Sequence, residues 1–195
     1  TGMHGIETIR KASNIFKETN VPLALLHTTN LYPTPDNLVR LGALNDISLN
    51  FPDNVFGLSD HTLTNHACFG AVALGASILE RHFTDSRITR KGPDIICSMD
   101  EEDCKKLLKG IKILFYQRGG SKSILEEEQV TRDFAFATVC STKKIKKGEI
   151  FNSQNLWVRR PGIGDFSAEE YETLFGKKAS RDISKNQTLK RSDVV

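Results

Sequence analysis

Two histidines each close a short apolar run in the sequence, and their positions suggest a shared metal ion. His61 ends the run GLSDH, and His82 ends the run ILERH further along the chain. Side chains alternate between the two faces of a strand, so Ser59 shares a face with His61 and Glu80 with His82. Imidazoles at the ends of adjacent parallel strands can bind one divalent ion and leave coordination positions for water and substrate, which suits Lewis-acid catalysis.

The role of Glu80 stays open at this level, because a carboxylate beside two histidines can be a ligand, an orienting partner or a base. A structural role is the alternative for each histidine, because a single histidine at a strand end is commonly hydrogen-bonded within the fold. The repetition of the pattern on two successive strands favours the metal site.

Further polar candidates follow the preceding apolar run, LALLH, which continues into HTTNLYPTP. If the strand geometry extends that far, Thr28, Asn30 and Tyr32 share one face. Asp94 lies in the loop TRKGPDIICS, which is either an active-site loop that presents this carboxylate to a polyol or a solvated loop. Asp60 faces away from His61, a position that suits an ion-pair partner rather than a catalytic residue. The remaining histidines are expected to be structural or exposed: His4, His27 and His66.

The elements that carry these residues alternate between helix and strand. Helical spacing in IETIRKASNIFKETN precedes the strand LALLH, and the helical stretch TPDNLVRLGALNDISLNF, capped by Thr34 or Asp36, precedes the strand VFGLS. A small apolar helix over 64–75 then leads to the strand SILERHF. This order predicts parallel βαβ units. Three strands suit the closing part of a β/α barrel, where functional residues gather at the carboxyl ends of the strands.

The chain is expected to divide into an α/β part over 1–117, a polar linker over 118–133 and a small β-rich domain over 134–195. The last part contains a weak repeat, IKKGEIFNSQNL and ISKNQTLKRSDV, in which Gly148 and Asn186 occupy equivalent positions. Both residue types tolerate a positive φ in a tight turn. Trp157 is expected in the core of this domain.

Composition places limits on the function. The 195 residues carry a net charge of only +3, spread along the chain, so neither nucleic acid nor a membrane surface is an expected partner. Four irregularly spaced cysteines are typical of reduced thiols rather than a disulfide framework. With no signal peptide and no membrane-spanning apolar run, a cytoplasmic location is predicted.

Several motifs in a fixed order resemble one family: HTTNLYPTP, GLSDHT, ILERHFT, KGPDIICSM, DFAFATV and NLWVRRPGIGDF. They resemble the bacterial N-acetylneuraminate (sialic acid) synthases and the related legionaminic acid synthases, from TGM to the C-terminus. The resemblance implies the C-terminal part of a (β/α)8 TIM barrel, with TGM at the end of its fifth strand. It also implies an antifreeze-like (SAF, β-clip) domain after the barrel.

The implied reaction condenses phosphoenolpyruvate with N-acetylmannosamine to give N-acetylneuraminate and phosphate. In such synthases two histidines, here His61 and His82, hold a divalent ion, with Mn2+ expected and Mg2+ or Co2+ as alternatives. The alternative substrates are those of legionaminic or other nonulosonic acid synthases, with pseudaminic acid synthases a poorer match to TNLYPTP.

The resemblance also implies roles for other residues. Asn30 and Ser59 correspond to the phosphoenolpyruvate pocket, Tyr32 and Asp94 to sugar contacts, and Glu80 to the acidic residue beside the metal. In a domain-swapped homodimer, the SAF domain of one subunit would cover the barrel of the other, so that Arg160 and Phe134 reach the partner's sugar site.

The resemblance also implies that the part of the barrel before its fifth strand lies outside these 195 residues. The chain by itself is therefore expected to be inactive. An alternative hypothesis assigns the chain no catalytic function. In that case it is a carbohydrate-binding or dimer-forming fragment in which only the tail folds independently.

Overall fold

The computed structural model describes all residues from 1 to 195, which form two compact units, Thr1–Ser121 and Lys122–Val195. The two units have separate hydrophobic cores. The residues expected to form a linker are not all irregular, because a 3-10 turn at Glu126–Glu128 leads directly into a short helix of the second unit.

The first unit is a parallel sheet covered by helices. Its strands lie in the order β1, β2, β3, and both neighbouring pairs are parallel. The strands are β1 (Ala24–Thr28), β2 (Val55–Asp60) and β3 (Ile78–Arg81). The helices are α1 (Ile6–Glu18), α2 (Gly42–Asn50), α3 (His66–Ala73) and α4 (Glu101–Gln117). The alternation of helix and parallel strand confirms the fold class expected from the sequence.

The register of the sheet aligns polar residues across all three strands. Thr28 on β1 lies opposite Ser59 on β2, which lies opposite Glu80 on β3. Gly57 permits this alignment, because a Cβ at that position would lie 2.2 Å from the carbonyl oxygen of Ile78. The strands therefore approach closely just before the polar row begins.

Small and aliphatic side chains build the core of this unit. The buried residues between the sheet, α2, α3 and α4 include Leu44, Leu58, Cys68, Ala71 and Leu107. Asp100 caps α4, since its side chain accepts a hydrogen bond from the Asp103 amide. None of the helices is long and apolar enough to cross a membrane.

The helix expected from Thr34 to Phe51 is divided, so that prediction was wrong in its first half. Asp36–Leu38 forms a 3-10 turn, and Arg40, with φ +52°, interrupts the helical path before α2 begins. Thr34 does not cap a helix, because its hydroxyl donates to the carbonyl oxygens of Thr29 and Leu31.

The second unit begins with the helix α5 (Gln129–Ala135) and contains an antiparallel pair, β4 (Thr138–Ser141) and β5 (Leu156–Arg159). The two copies of the repeat meet at an antiparallel bridge between Ile145 and Ile183, both fully buried. Gly148 has φ +82° and Asn186 has φ +61°, which confirms the predicted tight turns.

Trp157 does not lie in the core of the second unit, contrary to the prediction. Its neighbour Leu156 is fully buried, whereas Trp157 is 54% exposed and contacts the edge of Tyr171. Alternation along β5 gives the inward position to Leu156 and turns the indole outward.

Candidate active site

His61 follows the last residue of β2 and is 5% exposed. Its Nδ1 lies 3.1 Å from the carbonyl oxygen of Thr29. A carbonyl oxygen can only accept, so Nδ1 carries the proton and Nε2 keeps a free lone pair. The backbone is also fixed, because the Thr34 amide donates to the His61 carbonyl at 2.9 Å. This combination prepares the imidazole to be a metal ligand.

His82 follows β3 in the same way, and its carbonyl accepts a hydrogen bond of 2.8 Å from the Met99 amide. Its side chain is 32% exposed, and its Nδ1 lies 3.8 Å from Oδ2 of Asp94. The ring lies edge-on to His61, with 5.2 Å between ring centroids and 66° between planes. The structure thus brings together the two histidines and the aspartate that the sequence singled out.

Tyr32 completes a cluster of three rings. It stacks on His61 with 4.2 Å between centroids and an interplanar angle of 29°, and it meets His82 edge-on at 5.9 Å. The tyrosine remains 45% exposed. One aromatic face therefore supports the buried histidine while the rest of the ring stays open to a ligand.

A polar row lies one step before the histidines along the strands. The Ser59 hydroxyl donates to Oε1 of Glu80 at 2.9 Å. Alternation then places His61 and His82 in the next row on the same side, as the sequence predicted. The resulting site combines two imidazoles, a carboxylate and a hydroxyl.

Asn30 is exposed, and its amide lies against Gly2. A Cβ at position 2 would lie 1.7 Å from Oδ1 of Asn30 and 2.7 Å from Cγ2 of Thr28. Only glycine leaves room for both side chains in this conformation. Sequence reasoning missed Gly2, because the short TGM segment carries no pattern that distinguishes this glycine from any other.

A buried ion pair lies on the opposite face of the strand ends, and the expectation for Asp60 is confirmed. Arg81 Nε lies 3.5 Å from Oδ2 of Asp60, and both side chains are at most 2% exposed. Arg81 also donates to the carbonyl oxygens of Thr62 and Thr64, at 2.7 Å each. Burial beside Asp60 raises the pKa of the Cys68 thiol, which keeps it protonated.

Arg81 was missed in the sequence, although the signal was present. The residues that directly precede His61 and His82 carry opposite charges and must face away from the histidines. Because Asp60 and Arg81 pair in the sheet register, the two histidine-bearing strand ends are tied together from behind.

His27 has the structural role expected of it. The ring is 5% exposed, and its Nε2 donates to the Val39 carbonyl oxygen at 2.8 Å. Burial lowers the pKa of this imidazole below its ordinary value of 6.5. His4 and His66 are exposed.

Phe134 and Arg160 belong to the second unit, at the end of α5 and directly after β5. Both side chains are exposed, with Phe134 at 72%. The exposure of these two side chains leaves them free to contact another molecule.

The histidine pair fits a divalent ion with two protein nitrogens. No group of three or more His, Cys, Asp or Glu side chains converges in the structure, so this is no closed structural site. The centroids of the two rings lie 5.2 Å apart, and the hydrogen bond at Nδ1 of His61 leaves its Nε2 free. Neutral imidazole nitrogens are suitable ligands for a first-row divalent ion.

A parallel β/α unit with polar residues gathered where its strands end, followed by a small β-rich unit, defines part of a β/α barrel with an appended domain. Residues 1–123 match the NeuB family model, and residues 138–195 match the model of the SAF domain. The chain belongs to the NeuB family. This confirms the resemblance and the fold class inferred from the sequence.

Named relatives agree with this assignment. The chain is 34% identical over 194 residues to the N,N'-diacetyllegionaminic acid synthase of Campylobacter jejuni, covering 97% of this chain and 57% of the relative. It is 35% identical over 195 residues to the pseudaminic acid synthase of another Campylobacter jejuni strain, covering 99% and 56%. The crystal structure of N-acetylneuraminic acid (sialic acid) synthetase from Leptospira borgpetersenii, in complex with citrate, superposes with a TM-score of 0.62 at 28% identity, over 67% of this chain and 45% of that one. The chain spans about half the length of the curated relatives it matches.

Proposed function

We propose that this chain supplies one part of the active site of a phosphoenolpyruvate-dependent nonulosonic acid synthase. One observation carries the proposal. In a chain of the NeuB family, the His61–His82 pair lies two residues beyond the hydrogen-bonded Ser59–Glu80 pair along neighbouring strands. In the proposed reaction, C3 of phosphoenolpyruvate forms a bond to the aldehyde carbon of an open-chain N-acylated hexose. Water adds at C2, and phosphate leaves as its C–O bond breaks.

Phosphoenolpyruvate is proposed to bind beside the polar row of β1 and β2. The Asn30 amide can donate to an oxyanion, and its position against Gly2 restricts where that donor points. The Ser59 hydroxyl donates to Glu80 in the absence of a ligand and can exchange that acceptor for a substrate oxygen.

His61 and His82 would hold the divalent ion, with Mn2+ as the first candidate and Mg2+ or Co2+ as alternatives. When bound, the ion supplies a Lewis acid that polarises the sugar aldehyde. Neighbouring groups of the chain hold the two histidine side chains in position. The Thr29 carbonyl holds the His61 tautomer, and Asp94 lies near Nδ1 of His82 as a second partner.

Glu80 is proposed to act on the water that adds at C2, as a base or as an orienting acceptor. Its carboxylate is exposed and is held by one hydrogen bond from Ser59, so an acceptor oxygen remains for water. Either role needs a carboxylate at this position, next to the row that holds the metal ligands.

Tyr32 and Asp94 are proposed to contact the sugar, since both border the histidine pair and both remain accessible. The sugar site would be completed in a domain-swapped homodimer by Arg160 of the partner subunit, with the partner subunit's Phe134 alongside. The exposure of both side chains supports this proposal, because a residue that reaches into another subunit cannot be buried in its own. A cytoplasmic location is proposed with it.

The first candidate for the sugar is N-acetylmannosamine, which would make the product N-acetylneuraminate. Legionaminic or other nonulosonic acid synthesis is the second candidate, favoured by the relative at 34% identity. The expectation that pseudaminic acid synthases match more poorly gains no support, because one of them is 35% identical.

The test uses the full-length protein encoded by the gene that contains this segment, and it measures phosphate release from phosphoenolpyruvate with Mn2+ and each candidate sugar. N-acetylmannosamine is compared with a hexose that carries two acetamido groups, and mass spectrometry identifies the nine-carbon product. Sugar-dependent phosphate release that the His82→Ala variant lacks supports the proposal. If the full-length protein binds a sugar but releases no phosphate with any candidate sugar, the result would favour the hypothesis of a non-catalytic carbohydrate-binding protein.

A further inference from the structure

The hydroxyl of Thr28 is buried and has no hydrogen-bond partner. Nε of Arg81 is also buried without a hydrogen-bond partner. That atom lies 3.5 Å from the Asp60 carboxylate, whose negative charge compensates it. Thr28 has no such compensation. A buried unpaired hydroxyl costs stability relative to an apolar group of the same shape, so its presence calls for a reason.

Thr28 is the last residue of β1 and lies opposite Ser59 in the sheet register. Alternation places it on the same side as Asn30, and a Cβ at Gly2 would lie 2.7 Å from its methyl carbon. The Thr28 side chain therefore extends the polar row of Ser59 and Glu80 onto a third strand. Ser59 directs its own proton to Glu80, which leaves Thr28 as the donor in this row that has no acceptor.

We infer that the Thr28 hydroxyl is a further substrate-binding donor that pairs with an oxyanion oxygen of phosphoenolpyruvate. The inference rests on the proposed function and gives a binding role to Thr28, which the sequence placed only on the same face as Asn30 and Tyr32.

Charge favours an anion rather than the sugar at this position. Glu80 ends the row on β3, and two strand spacings of about 4.8 Å separate its backbone from that of Thr28. The Glu80 carboxylate repels an oxyanion, so the β1 side of the row, which carries Thr28 and Asn30, favours an anionic group over the β3 side. The proposed sugar contacts, Tyr32 and Asp94, border the histidine row instead.

The test compares Thr28→Val with Thr28→Ser in the full-length protein. Valine keeps the branched shape that suits a strand and removes the hydroxyl, whereas serine keeps the hydroxyl. Calorimetric titration with phosphoenolpyruvate should show about 10- to 100-fold weaker binding for valine, the usual range for a lost hydrogen bond to a charged group. Serine should retain most of the affinity. Titration with pyruvate and with inorganic phosphate then identifies which oxyanion the hydroxyl serves, because only that probe should lose affinity in Thr28→Val.

A second readout separates binding from a structural role. Because the hydroxyl is unpaired without ligand, Thr28→Val should keep or raise the melting temperature and leave the KM for the sugar unchanged. Unchanged phosphoenolpyruvate affinity in Thr28→Val would overturn the inference, and so would weaker binding that accompanies a lower melting temperature. If the wild-type protein itself neither binds phosphoenolpyruvate nor releases phosphate, the proposed function fails, and that result is distinct from a failure confined to Thr28.

Discussion

The Ser59 hydroxyl donates a hydrogen bond of 2.9 Å to Oε1 of Glu80, and the parallel register of β2 and β3 makes this contact possible. The next residues on the same side of these two strands are His61 and His82. The hydrogen bond thus links the proposed phosphoenolpyruvate contact with the proposed acid–base residue, directly before the proposed metal ligands.

Ser59 and Glu80 are expected to have separable effects on catalysis. Ser59→Ala should raise the KM for phosphoenolpyruvate about tenfold through loss of a donor to an anion. Glu80→Gln should lower kcat about 10²- to 10⁴-fold, the usual contribution of a positioned acid or base. Steady-state kinetics of the full-length protein measure both parameters. If Glu80→Gln alters only KM, the carboxylate does not act on the reacting water.

The histidine pair should determine metal affinity. His61→Ala and His82→Ala are each expected to weaken Mn2+ binding by more than about 100-fold, because each removes one of two imidazole ligands from the chain. Calorimetric titration of metal-free protein measures this without any assay of turnover. His66→Ala is the matched control, since His66 is exposed and bonds only to Thr64. Equal Mn2+ affinity in all three variants would exclude this metal site.

Gly2 should be required for the position of Asn30. A methyl group at position 2 would overlap Oδ1 of Asn30, so Gly2→Ala must displace the amide. The expected result is weaker binding of phosphoenolpyruvate, by about tenfold, for the loss of one donor. Gly5→Ala is the control, because a Cβ there meets nothing within 4 Å. Equal binding by both variants would mean that the Asn30 amide does not contact this substrate.

The proposed domain swap predicts complementation between two inactive variants. His82→Ala damages the barrel part, and Arg160→Ala damages the part proposed to reach the partner. When the two full-length variants are unfolded together and refolded, half of the dimers should be mixed, and each should contain one intact site. About a quarter of the wild-type activity should return. Activity that stays at the level of the separate variants would place Arg160 in its own subunit's site or outside any site.

The arrangement of the histidine site could be predicted because it depends on local rules. Alternation along a strand fixed which residues share a face, and parallel order fixed that the strand ends meet at one edge. The structure accordingly pairs Ser59 with Glu80 and His61 with His82. Asp60 also turned away from His61, as alternation requires.

Other features depend on contacts between distant residues and could not be predicted. Gly2 and Asn30 meet only because the chain returns to the same edge of the sheet after α1. Arg40 has a left-handed backbone conformation that its residue type does not favour, so the sequence carries no signal for the break before α2. Trp157 was placed in the core on hydrophobicity alone, but alternation on β5 gives that position to Leu156.

His27 should make the stability of the protein depend on pH near neutrality. Burial lowers the pKa of His27 in the folded protein below the ordinary value of 6.5 that applies to the unfolded chain. As the pH falls through 6.5, the unfolded chain binds a proton that the folded protein does not, so the free energy of unfolding decreases until the lower folded pKa is passed.

Replacement of His27 by glutamine keeps a donor for the Val39 carbonyl and removes the titration. Urea unfolding of the wild-type and His27→Gln proteins at pH 8 measures the packing difference alone, since both side chains are then neutral in both states. Between pH 7 and 5 the wild-type protein should lose more stability than His27→Gln, and parallel pH curves for the two proteins would show that burial does not shift this imidazole.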